Sequence, residues 1–395
     1  MTVRDWATDY DYFDAAFVAD PHDVWADLRE RCPLAHTDRH GGSWMPTTYD
    51  LIAEIAYDTD HFSSRDVGVV GAGENRPLLV APPITSDPPF HTAARRLLLP
   101  AFAPKAIDAL EPLTRGVARE LLDAIGDAET ADAAVDYAQH IPVRVIAHML
   151  GVPAAMEATF TEWIIRVLPS GPTDPDVGIQ ASREMLQFFR QQVERRRDGG
   201  GERDDDLISF LLDARIDGEA LTDKHIIGTC MLILVAGIDT TWSSIGSALW
   251  HLATHPDDRQ RLVDEPSLIP TAVEELLRAY SPVTMARVVE EEIEIGDRRL
   301  WPGERVLLPF PAGNRDPAKF DDAAAVTIDR QHNRHFAFGI GIHRCLGSNL
   351  ARLELRMAIE EWLSRFPDFR LGDGATVQWT GGQVRGPRSI PVTLR

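Results

Sequence analysis

The sequence predicts a mainly α-helical fold with small β-sheets. Apolar residues recur with the 3.6-residue spacing of amphipathic helices through most of the 395 residues. Segment 222–254 is long and strongly apolar, which indicates a helix buried at the centre of the fold. Shorter segments, above all 287–308, alternate apolar and polar residues and predict strands. We expect a single domain over residues 1–395, because neither a linker nor an internal repeat divides the chain.

The N-terminal part of the chain predicts short helices, short strands and one long loop. Segments 24–29 and 49–56 have helical apolar spacing, and candidate strands lie between them at 34–37 and 43–45. The periodicity fails over 62–89, where glycines and prolines cluster. A loop of this length inside a compact domain is often functional.

Helical spacing then resumes over 91–216, with two breaks. The proline-rich segment 168–175 is not expected to be helical, because proline removes a backbone donor and its ring clashes with the preceding turn. The glycine-rich, charged segment 198–206 predicts a solvated turn.

The C-terminal part returns to a mixture of helices and strands. After the central helix 222–254, a second helix is predicted over 269–280, followed by the strands of 287–308. Segment 309–333 reads as mostly irregular, and a last amphipathic helix is expected over 346–366 before a tail of strands and turns.

Composition excludes several classes of protein. Hydrophobic residues make up 44% and charged residues 26%, which is a globular rather than a disordered balance. The net charge of −21 argues against general binding to nucleic acid or to anionic membranes. Three cysteines do not make a disulfide framework, and the charged N-terminus lacks the apolar core of a signal peptide. The longest apolar run, 226–238, is shorter than the ~20 residues that span a bilayer. We therefore expect a cytoplasmic protein.

One segment carries most of the chemical information, and it surrounds Cys345. A lone cysteine is usually a small buried hydrophobe. Here, however, two glycines precede it and a predicted helix begins just after it, so its sulfur lies near a helix N-terminus, where thiolate is stabilised. Thiolate is the form that binds metals. The segment reads Phe338-Gly339-x-Gly341-x-His343-x-Cys345-Leu346-Gly347.

This pattern resembles the haem-binding loop of the cytochrome P450 family. The resemblance implies the triangular fold of that family, with a long central helix over a haem. It implies haem b as cofactor and Cys345 as the axial ligand of its iron, through a thiolate that favours O–O cleavage. Phe338, Gly339 and Gly347 would form the rest of the loop, with Phe338 packed near the sulfur.

Two further motifs match landmarks of the same family in the expected order. Glu275 and Arg278 lie three apart on one helix and can pair; the resemblance implies that they form a structural ion-pair network with Arg330. Asp239 and Thr240 lie inside the central helix, where an aspartate is rarely buried without a role. The resemblance implies that Thr240 hydrogen-bonds dioxygen and that Asp239 relays protons.

The resemblance also implies partners for the haem propionates. His91 and Arg95 are four residues apart at the start of a predicted helix and share a face. Arg287 and His343 match the other propionate positions of the family. Arginine suits carboxylates because its guanidinium forms charge-assisted, forked hydrogen bonds.

The implied activity is that of a soluble monooxygenase, which inserts one oxygen atom of dioxygen into an organic substrate. No flavin or nicotinamide domain fits in the chain, so the electrons would come from a ferredoxin and its reductase. The docking face would be basic near Cys345, although the whole protein is acidic. The arginines available for that face are Arg95, Arg96, Arg334, Arg344 and Arg352. We expect a monomer.

The substrate is expected to be a neutral hydrophobic molecule: a terpenoid, a steroid, a fatty acyl chain or an aromatic compound, with natural-product tailoring also open. Arg166 would suit a carboxylate but is more simply a surface residue. Two alternatives stay open: a peroxide-driven peroxygenase, and a non-catalytic haem protein that binds or senses a ligand. By resemblance, the pocket would be lined by apolar residues: Val67, Val69, Val70, Leu168, Leu232, Ala236, Val283, Met285 and Val384.

Overall fold

A computed structural model describes residues 3–71, 80–198 and 205–395. Helices dominate it, and most of them coincide with the apolar periodicity of the sequence. In these described residues, and in chain order, the α-helices are α1 (Ala15–Ala19), α2 (His22–Arg31), α3 (Tyr49–Tyr57), α4 (Phe90–Leu98), α5 (Pro104–Asp108), α6 (Glu111–Ile125), α7 (His140–Leu150), α8 (Glu157–Ile165), α9 (Pro175–Asp198), α10 (Leu207–Asp213), α11 (Asp223–Thr254), α12 (Pro256–Asp264), α13 (Ile269–Ala279), α14 (Phe310–Gly313) and α15 (Ser348–Arg365).

In the described residues, the strands are short and form one five-stranded mixed sheet, one three-stranded antiparallel sheet and three antiparallel pairs. They are β1 (Leu34–Thr37), β2 (Ser43–Pro46), β3 (Phe62–Ser63), β4 (Thr130–Asp132), β5 (Arg215–Ile216), β6 (Glu219–Ala220), β7 (Thr284–Val289), β8 (Ile293–Ile295), β9 (Arg298–Leu300), β10 (Arg305–Pro309), β11 (Arg370–Leu371), β12 (Gln378–Thr380), β13 (Gly386–Ser389) and β14 (Pro391–Thr393).

The largest sheet has the strand order β1-β2-β10-β7-β3 and joins the N-terminal hairpin to strands from the C-terminal half. The pairs are antiparallel except for β2 with β10, and Leu307 of β10 lies opposite Ala286 of β7. Both of these residues are buried in an apolar cluster that also contains Trp25 and Ile52 from the first helices. Arg287 lies on β7, so the register of β7 with β10 determines the position of its side chain.

Helix α11 is the centre of the fold. The Thr222 hydroxyl caps it by accepting a hydrogen bond from the His225 amide, as expected of an N-cap threonine. The helix packs against α7, α9, α15 and β13, which explains why its sequence is apolar on all sides. In the part of the chain that the structure describes, it is the one helix with the length and apolarity to cross a membrane, but 72% of its most apolar stretch is buried within the protein.

The predicted helices and strands are confirmed, with three corrections. Segment 166–170 continues α8 as a π-helical turn that includes Leu168 and Pro169, so the predicted absence of helix over 168–175 was wrong in its first part. Proline excludes a regular α-helical interior, whereas this wider turn accommodates it at the end of a helix. Strands β4 and β5 each interrupt the segment 91–216, which was expected to be helical. The central helix was predicted over 222–254, and the structure confirms it as Asp223–Thr254.

Two predicted segments fall partly outside the described residues. They are residues 72–79 of the long loop and residues 199–204 of the charged turn. The described remainder of the long loop runs from β3 to the start of α4 and is held by side chains: Asp87 accepts hydrogen bonds from the Ser63 hydroxyl at 2.5 Å and from the Ser64 amide at 2.8 Å.

Candidate functional site

The loop before α15 holds Cys345 by backbone geometry. Gly339 and Gly341 have φ values of +64° and +73°, which L-residues with side chains adopt rarely. A Cβ at Gly341 would lie 2.7 Å from the Ala56 carbonyl oxygen, so the loop packs directly on the end of α3. The Cys345 amide donates to the Phe338 carbonyl at 2.7 Å, which closes the loop. The predicted loop residues therefore form one compact turn around Cys345.

The environment of the Cys345 sulfur combines burial with positive charge. Burial raises the pKa of the thiol, whereas the Gly347 amide and the charges of Arg95, Arg344 and Arg352 oppose that rise. Cys345 nevertheless has exposed surface in the structure. This is the setting that favours a metal-bound thiolate over a free thiol.

The middle of α11 also has accessible surface. Ala236 is exposed and Thr240 is half-buried, although the helix lies in the core. The Thr240 hydroxyl donates to the Ala236 carbonyl at 2.7 Å, which is the local competition with helix hydrogen bonds expected of an interior threonine. Accessible atoms at Ala236 and at Cys345 are the surface that a flat internal cofactor would cover.

A group of basic side chains near Cys345 lacks the partners that such groups normally have. His91 is only 2% exposed, yet neither ring nitrogen has a hydrogen-bond partner in the structure. Its ring lies 4.2 Å from that of His343, whose Nε2 contacts the Ser64 hydroxyl at 2.9 Å. Burial and the charges of Arg287, His91 and Arg95 lower the pKa of His343 to about 2. Buried polar groups are normally paired, so these residues fit a ligand with acidic groups.

Arg287 is another buried basic side chain of this group. It is buried, and its Nη1 donates a hydrogen bond to the neighbouring Ala286 carbonyl at 2.8 Å. Burial lowers its pKa to about 10, with Asp87 as the nearby opposing charge. Arg95 donates from Nη2 to the Arg344 carbonyl at 2.5 Å, so it braces the Cys345 loop. The four residues predicted to bind propionates thus fit a doubly acidic cofactor.

Glu275, Arg278 and Arg330 meet as predicted. Arg278 and Glu275 are fully buried and form a two-pronged pair with both distances at 2.8 Å. Arg330 Nε donates to the same carboxylate at 3.0 Å, and the Thr327 amide and Asn333 Nδ2 also donate to it. Burial alone would raise the pKa of Glu275, but these donors hold it below its ordinary value. The network ties α13 to the irregular segment that leads into the Cys345 loop.

Asp239 has a partner that the sequence did not reveal. It is fully buried, and its Oδ1 accepts a hydrogen bond from Arg388 Nη2 at 2.6 Å, while Oδ2 has no partner. Arg388 comes from β13, 149 residues further along the chain. No local pattern marks such a pair, because it depends on how β13 packs against α11.

The predicted pocket residues are distributed over two apolar clusters and helix α11. Val69, Val70, Val283 and Met285 belong to the apolar cluster around the five-stranded sheet, and Leu168 belongs to a cluster around α7, α9 and α11. Val384 forms an isolated bridge with Val283, and the Gln383 amide donates to the Val67 carbonyl at 3.3 Å. Leu232 and Ala236 lie four residues apart on α11. Arg166 pairs with Glu184 at 2.7 Å, so it is engaged at the surface.

The predicted docking arginines lie on or near the Cys345 loop with different exposure. Arg96, Arg334 and Arg344 are exposed. Arg352 is half-buried, pairs with Glu274 at 2.6 Å and lies 4.4 Å over the Phe338 ring. The sequence analysis overlooked apolar side chains that are exposed on α3, after α4 and in the loop itself: Tyr57, Leu99 and Ile342.

Comparisons with known proteins agree with this geometry. The family model described as "Cytochrome P450" matches residues 175–371, which include α11, α13 and the Cys345 loop. The mycinamicin IV hydroxylase/epoxidase of Micromonospora griseorubida is 34% identical over 378 residues, which cover 93% of this chain and 94% of that protein. The vitamin D(3) 25-hydroxylase of Pseudonocardia autotrophica is 34% identical, with 98% of this chain and 96% of that protein covered.

Solved structures show the same fold. The crystal structure of CYP109E1 from Bacillus megaterium in complex with testosterone superposes with a TM-score of 0.86 and 31% identity. The match covers 96% of this chain and 99% of that one.

Proposed function

The chain belongs to the cytochrome P450 family and is a haem-binding monooxygenase, and we propose that Cys345 is the axial ligand of its haem iron. The observation that carries this proposal is the compact glycine loop that holds an exposed Cys345 beside the positive charges of Arg95, Arg344 and Arg352. When bound, haem b supplies dioxygen activation, and a thiolate ligand favours O–O cleavage. The protein would hold the group with Phe338, Gly339 and Gly347 of the loop.

The haem propionates would be held by His91, Arg95, Arg287 and His343. These side chains are buried or half-buried, and the two unpartnered nitrogens of His91 need acceptors or donors from a ligand. On α11, Thr240 would orient dioxygen and Asp239 would bring protons from solvent. An acid next to an alcohol in a helix interior suits that task.

The substrate would be a neutral, mostly apolar molecule of the size of a steroid or macrolide. The predicted lining is apolar in both clusters, and the relatives named above act on mycinamicin IV and vitamin D(3). A carboxylate anchor at Arg166 is disfavoured, because Glu184 and Glu162 already engage that guanidinium. Terpenoid, fatty acyl and aromatic substrates would fit the same polarity.

The electron donor would be a ferredoxin served by a reductase, acting on a cytoplasmic, monomeric protein whose residues 1–395 form one haem domain. Exposed Arg96, Arg334 and Arg344 offer positive charge near Cys345 in a chain with a net charge of −21. Exposed Ile342 and Leu99 add apolar contact area of the kind that a small acidic partner covers.

The first test is the carbon monoxide difference spectrum of the reduced holoprotein. We expect the red-shifted band of a thiolate-bound haem in the wild type and its loss in Cys345→Ala. Cys230→Ala is the matched control: Cys230 is a buried cysteine in α11 whose pKa burial raises to about 12, so it packs rather than binds metal. A normal band in Cys345→Ala would refute the ligand assignment.

A second test separates the monooxygenase from its alternatives. Steroids, macrolides and fatty acids are titrated against the ferric protein, and the low-to-high-spin shift identifies the compounds that displace iron-bound water. Product formation with a surrogate ferredoxin pair supports the monooxygenase. Turnover with peroxide alone would favour the peroxygenase, and binding without turnover under either condition would favour a ligand-binding role.

A further inference from the structure

Residues 66–68, which follow β3, are held from one side by an arginine of the five-stranded sheet. Arg305 Nη2 lies 2.7 Å from Asp66 Oδ2, and Arg305 Nη1 donates to the Gly68 carbonyl at 2.5 Å. Asp66 Oδ1 accepts a hydrogen bond from the Gly68 amide at 3.1 Å, which closes a short turn. The side chains of Arg305 and Asp66 are only 10% and 16% exposed, so salt in the solvent screens this pair weakly. Arg305 thus fixes both ends of segment 66–68 to β10.

The same segment is held from another side by Gln383, in the turn between β12 and β13. The Val67 carbonyl accepts two hydrogen bonds, from the Ala286 amide of β7 at 3.1 Å and from Gln383 Nε2 at 3.3 Å. A carbonyl oxygen has two lone pairs, so both are engaged. Gln383 Nε2 also lies 3.5 Å from Met285 Sδ, and the Gln383 carbonyl accepts a hydrogen bond from the Thr284 amide at 3.0 Å. Gln383 therefore joins segment 66–68, β7 and the hairpin formed by β12 and β13.

The turn that carries Gln383 is itself fixed by close packing. Gly382 has a φ value of +91°, and a Cβ there would lie 2.9 Å from the Phe13 ring. A Cβ at Gly381 would lie 2.5 Å from Val18 Cγ2. Only glycine allows the N-terminal residues to approach the turn this closely. Gln383 therefore acts from an anchored position.

These two ties, from Arg305 and from Gln383, join the segments that carry most of the predicted pocket residues. Apolar contact alone is not directional. Hydrogen bonds and ion pairs, by contrast, weaken steeply when their geometry changes. The two ties therefore restrict a sliding of segment 66–68 along β7 that apolar packing would permit. The predicted pocket residues in the joined segments or directly beside them are Val67, Val69, Val70, Val283, Met285 and Val384.

We propose that Arg305 and Gln383 are positioning residues that together fix segment 66–68 on β7, and that this fixed spacing makes the site select rigid molecules, such as steroids and macrolides, over flexible chains. The inference rests on the proposed function. A rigid molecule cannot adapt to a displaced pocket segment, and a preorganised site avoids the cost of ordering that segment on binding. A flexible chain adapts to either arrangement, so it gains little from the two ties.

The test uses variants that remove each tie, together with matched controls on neighbouring strands. Q383M keeps the length of the side chain but loses the amide donor, and R305M loses the guanidinium. Q383K and R305K each keep a donor and test for rescue. The controls are Q378M and R299M, because Gln378 is exposed on β12 and Arg299 is exposed on β9.

The first readout is hydrogen exchange of the Ala286 amide in the substrate-free holoprotein. Because this amide donates to the Val67 carbonyl, opening of segment 66–68 exposes it to water. We expect its exchange to be about tenfold faster in Q383M and in R305M than in the wild type, and slower again in Q383K and R305K. Q378M and R299M should exchange like the wild type. Unchanged exchange in either Q383M or R305M would overturn the proposal.

The second readout is the ratio of two dissociation constants, measured by the spin-state titration. The probes are testosterone, a rigid steroid, and 1-dodecanol, a flexible neutral chain. We expect the wild type to bind testosterone more tightly, and we expect Q383M and R305M to raise the Kd of testosterone about tenfold while changing that of 1-dodecanol by less than about threefold. A general loss of structure would weaken both alike. Equal changes in the two Kd values, or no preference for testosterone in the wild type, would contradict the proposal.

The outcomes also separate this inference from the proposed function. The carbon monoxide band depends on Cys345, whereas exchange at Ala286 depends on segment 66–68. Failure of the proposed function shows as a missing thiolate band in the wild type, and failure of this inference shows as unchanged exchange with the band intact. Hydrogen exchange needs neither substrate nor turnover, so it tests the two ties whether or not the band is found.

Discussion

Glu354 shows how a single buried group can set the response of the protein to pH. It lies in α15, neither carboxyl oxygen has a hydrogen-bond partner in the structure, and burial raises its pKa to about 8. When folding raises the pKa of a carboxyl group, the group favours the folded state. This contribution is fully present only below the pKa that the group has in the unfolded chain, about 4.3. That contribution is lost as the pH rises through the folded pKa, because the unfolded chain releases the proton first.

Glu354→Gln should therefore flatten the pH dependence of stability. We expect the melting temperature of the wild type to fall between pH 5 and pH 8 more steeply than that of Glu354→Gln, since glutamine keeps the shape without the ionisation. One pKa unit corresponds to about 1.4 kcal/mol, so the difference at pH 8 should amount to a few kcal/mol in favour of the variant. Thermal unfolding followed across that pH range tests this, and parallel curves would contradict it.

The buried pair of Glu275 and Arg278 leads to a second prediction at the residue scale. Glu275→Gln leaves Arg278 charged in a fully buried position, which typically costs about 3–5 kcal/mol. The matched control is Glu274→Gln on the same helix, because Glu274 is about one-third exposed and pairs with Arg352. That change should cost no more than about 1 kcal/mol. Urea unfolding measures both, and similar costs would argue against a structural role for the network.

At the scale of elements, the contact between α11 and β13 organises the site. Helix α11 supplies Asp239 and Thr240, and β13 supplies Arg388, so the spacing between these two elements decides whether the acid is paired. The spacing itself depends on Gly386, where the Ser243 side chain occupies the position of a Cβ.

Gly386→Val should push β13 away from α11. We expect a loss of stability of about 1–3 kcal/mol, as is usual for overpacking. We also expect lower coupling, which is the product formed per electron pair consumed, because Asp239 loses its contact with Arg388. Gly116→Val in α6 is the control, because a Cβ there meets nothing within 4 Å. Thermal unfolding and product formation measure the two effects. Full coupling in Gly386→Val would show that the spacing does not control Asp239.

At the scale of the whole molecule, charge is distributed unevenly. The chain carries a net charge of −21, yet exposed Arg96, Arg334 and Arg344 lie on or near the Cys345 loop. A local basic face on an acidic protein attracts an acidic partner at short range, and the Debye length of about 8 Å at 0.15 M salt limits how far that attraction extends.

The rate of electron transfer from a ferredoxin should therefore fall as the salt concentration rises. We expect Arg344→Glu to lower the rate of reduction severalfold at low salt and to have a smaller effect at high salt, because screening removes the contribution of the charge. Arg183→Glu is the control: Arg183 is exposed on α9, which packs on α8, α10 and α11. Stopped-flow reduction at several salt concentrations measures this, and equal effects of the two variants would place the docking face elsewhere.

The sequence by itself determined the main elements, the glycine loop around Cys345 and the order of the motifs. These features are local: apolar periodicity predicts α11, and fixed spacing places Glu275 beside Arg278. The family resemblance named His91 and His343 as partners of the haem propionates, and the structure adds that their ring centres lie 4.2 Å apart.

Only the tertiary structure decided which distant groups touch. Arg388 lies 149 residues from Asp239, Glu354 is buried with no local sign of it, and Gly386 is required because another helix occupies the space of its Cβ. Such features follow from the packing of elements, whose geometry depends on the whole core, so no window of sequence contains them. Pro169 inside a helical turn has the same origin, because the turn is formed by its surroundings as much as by its residues.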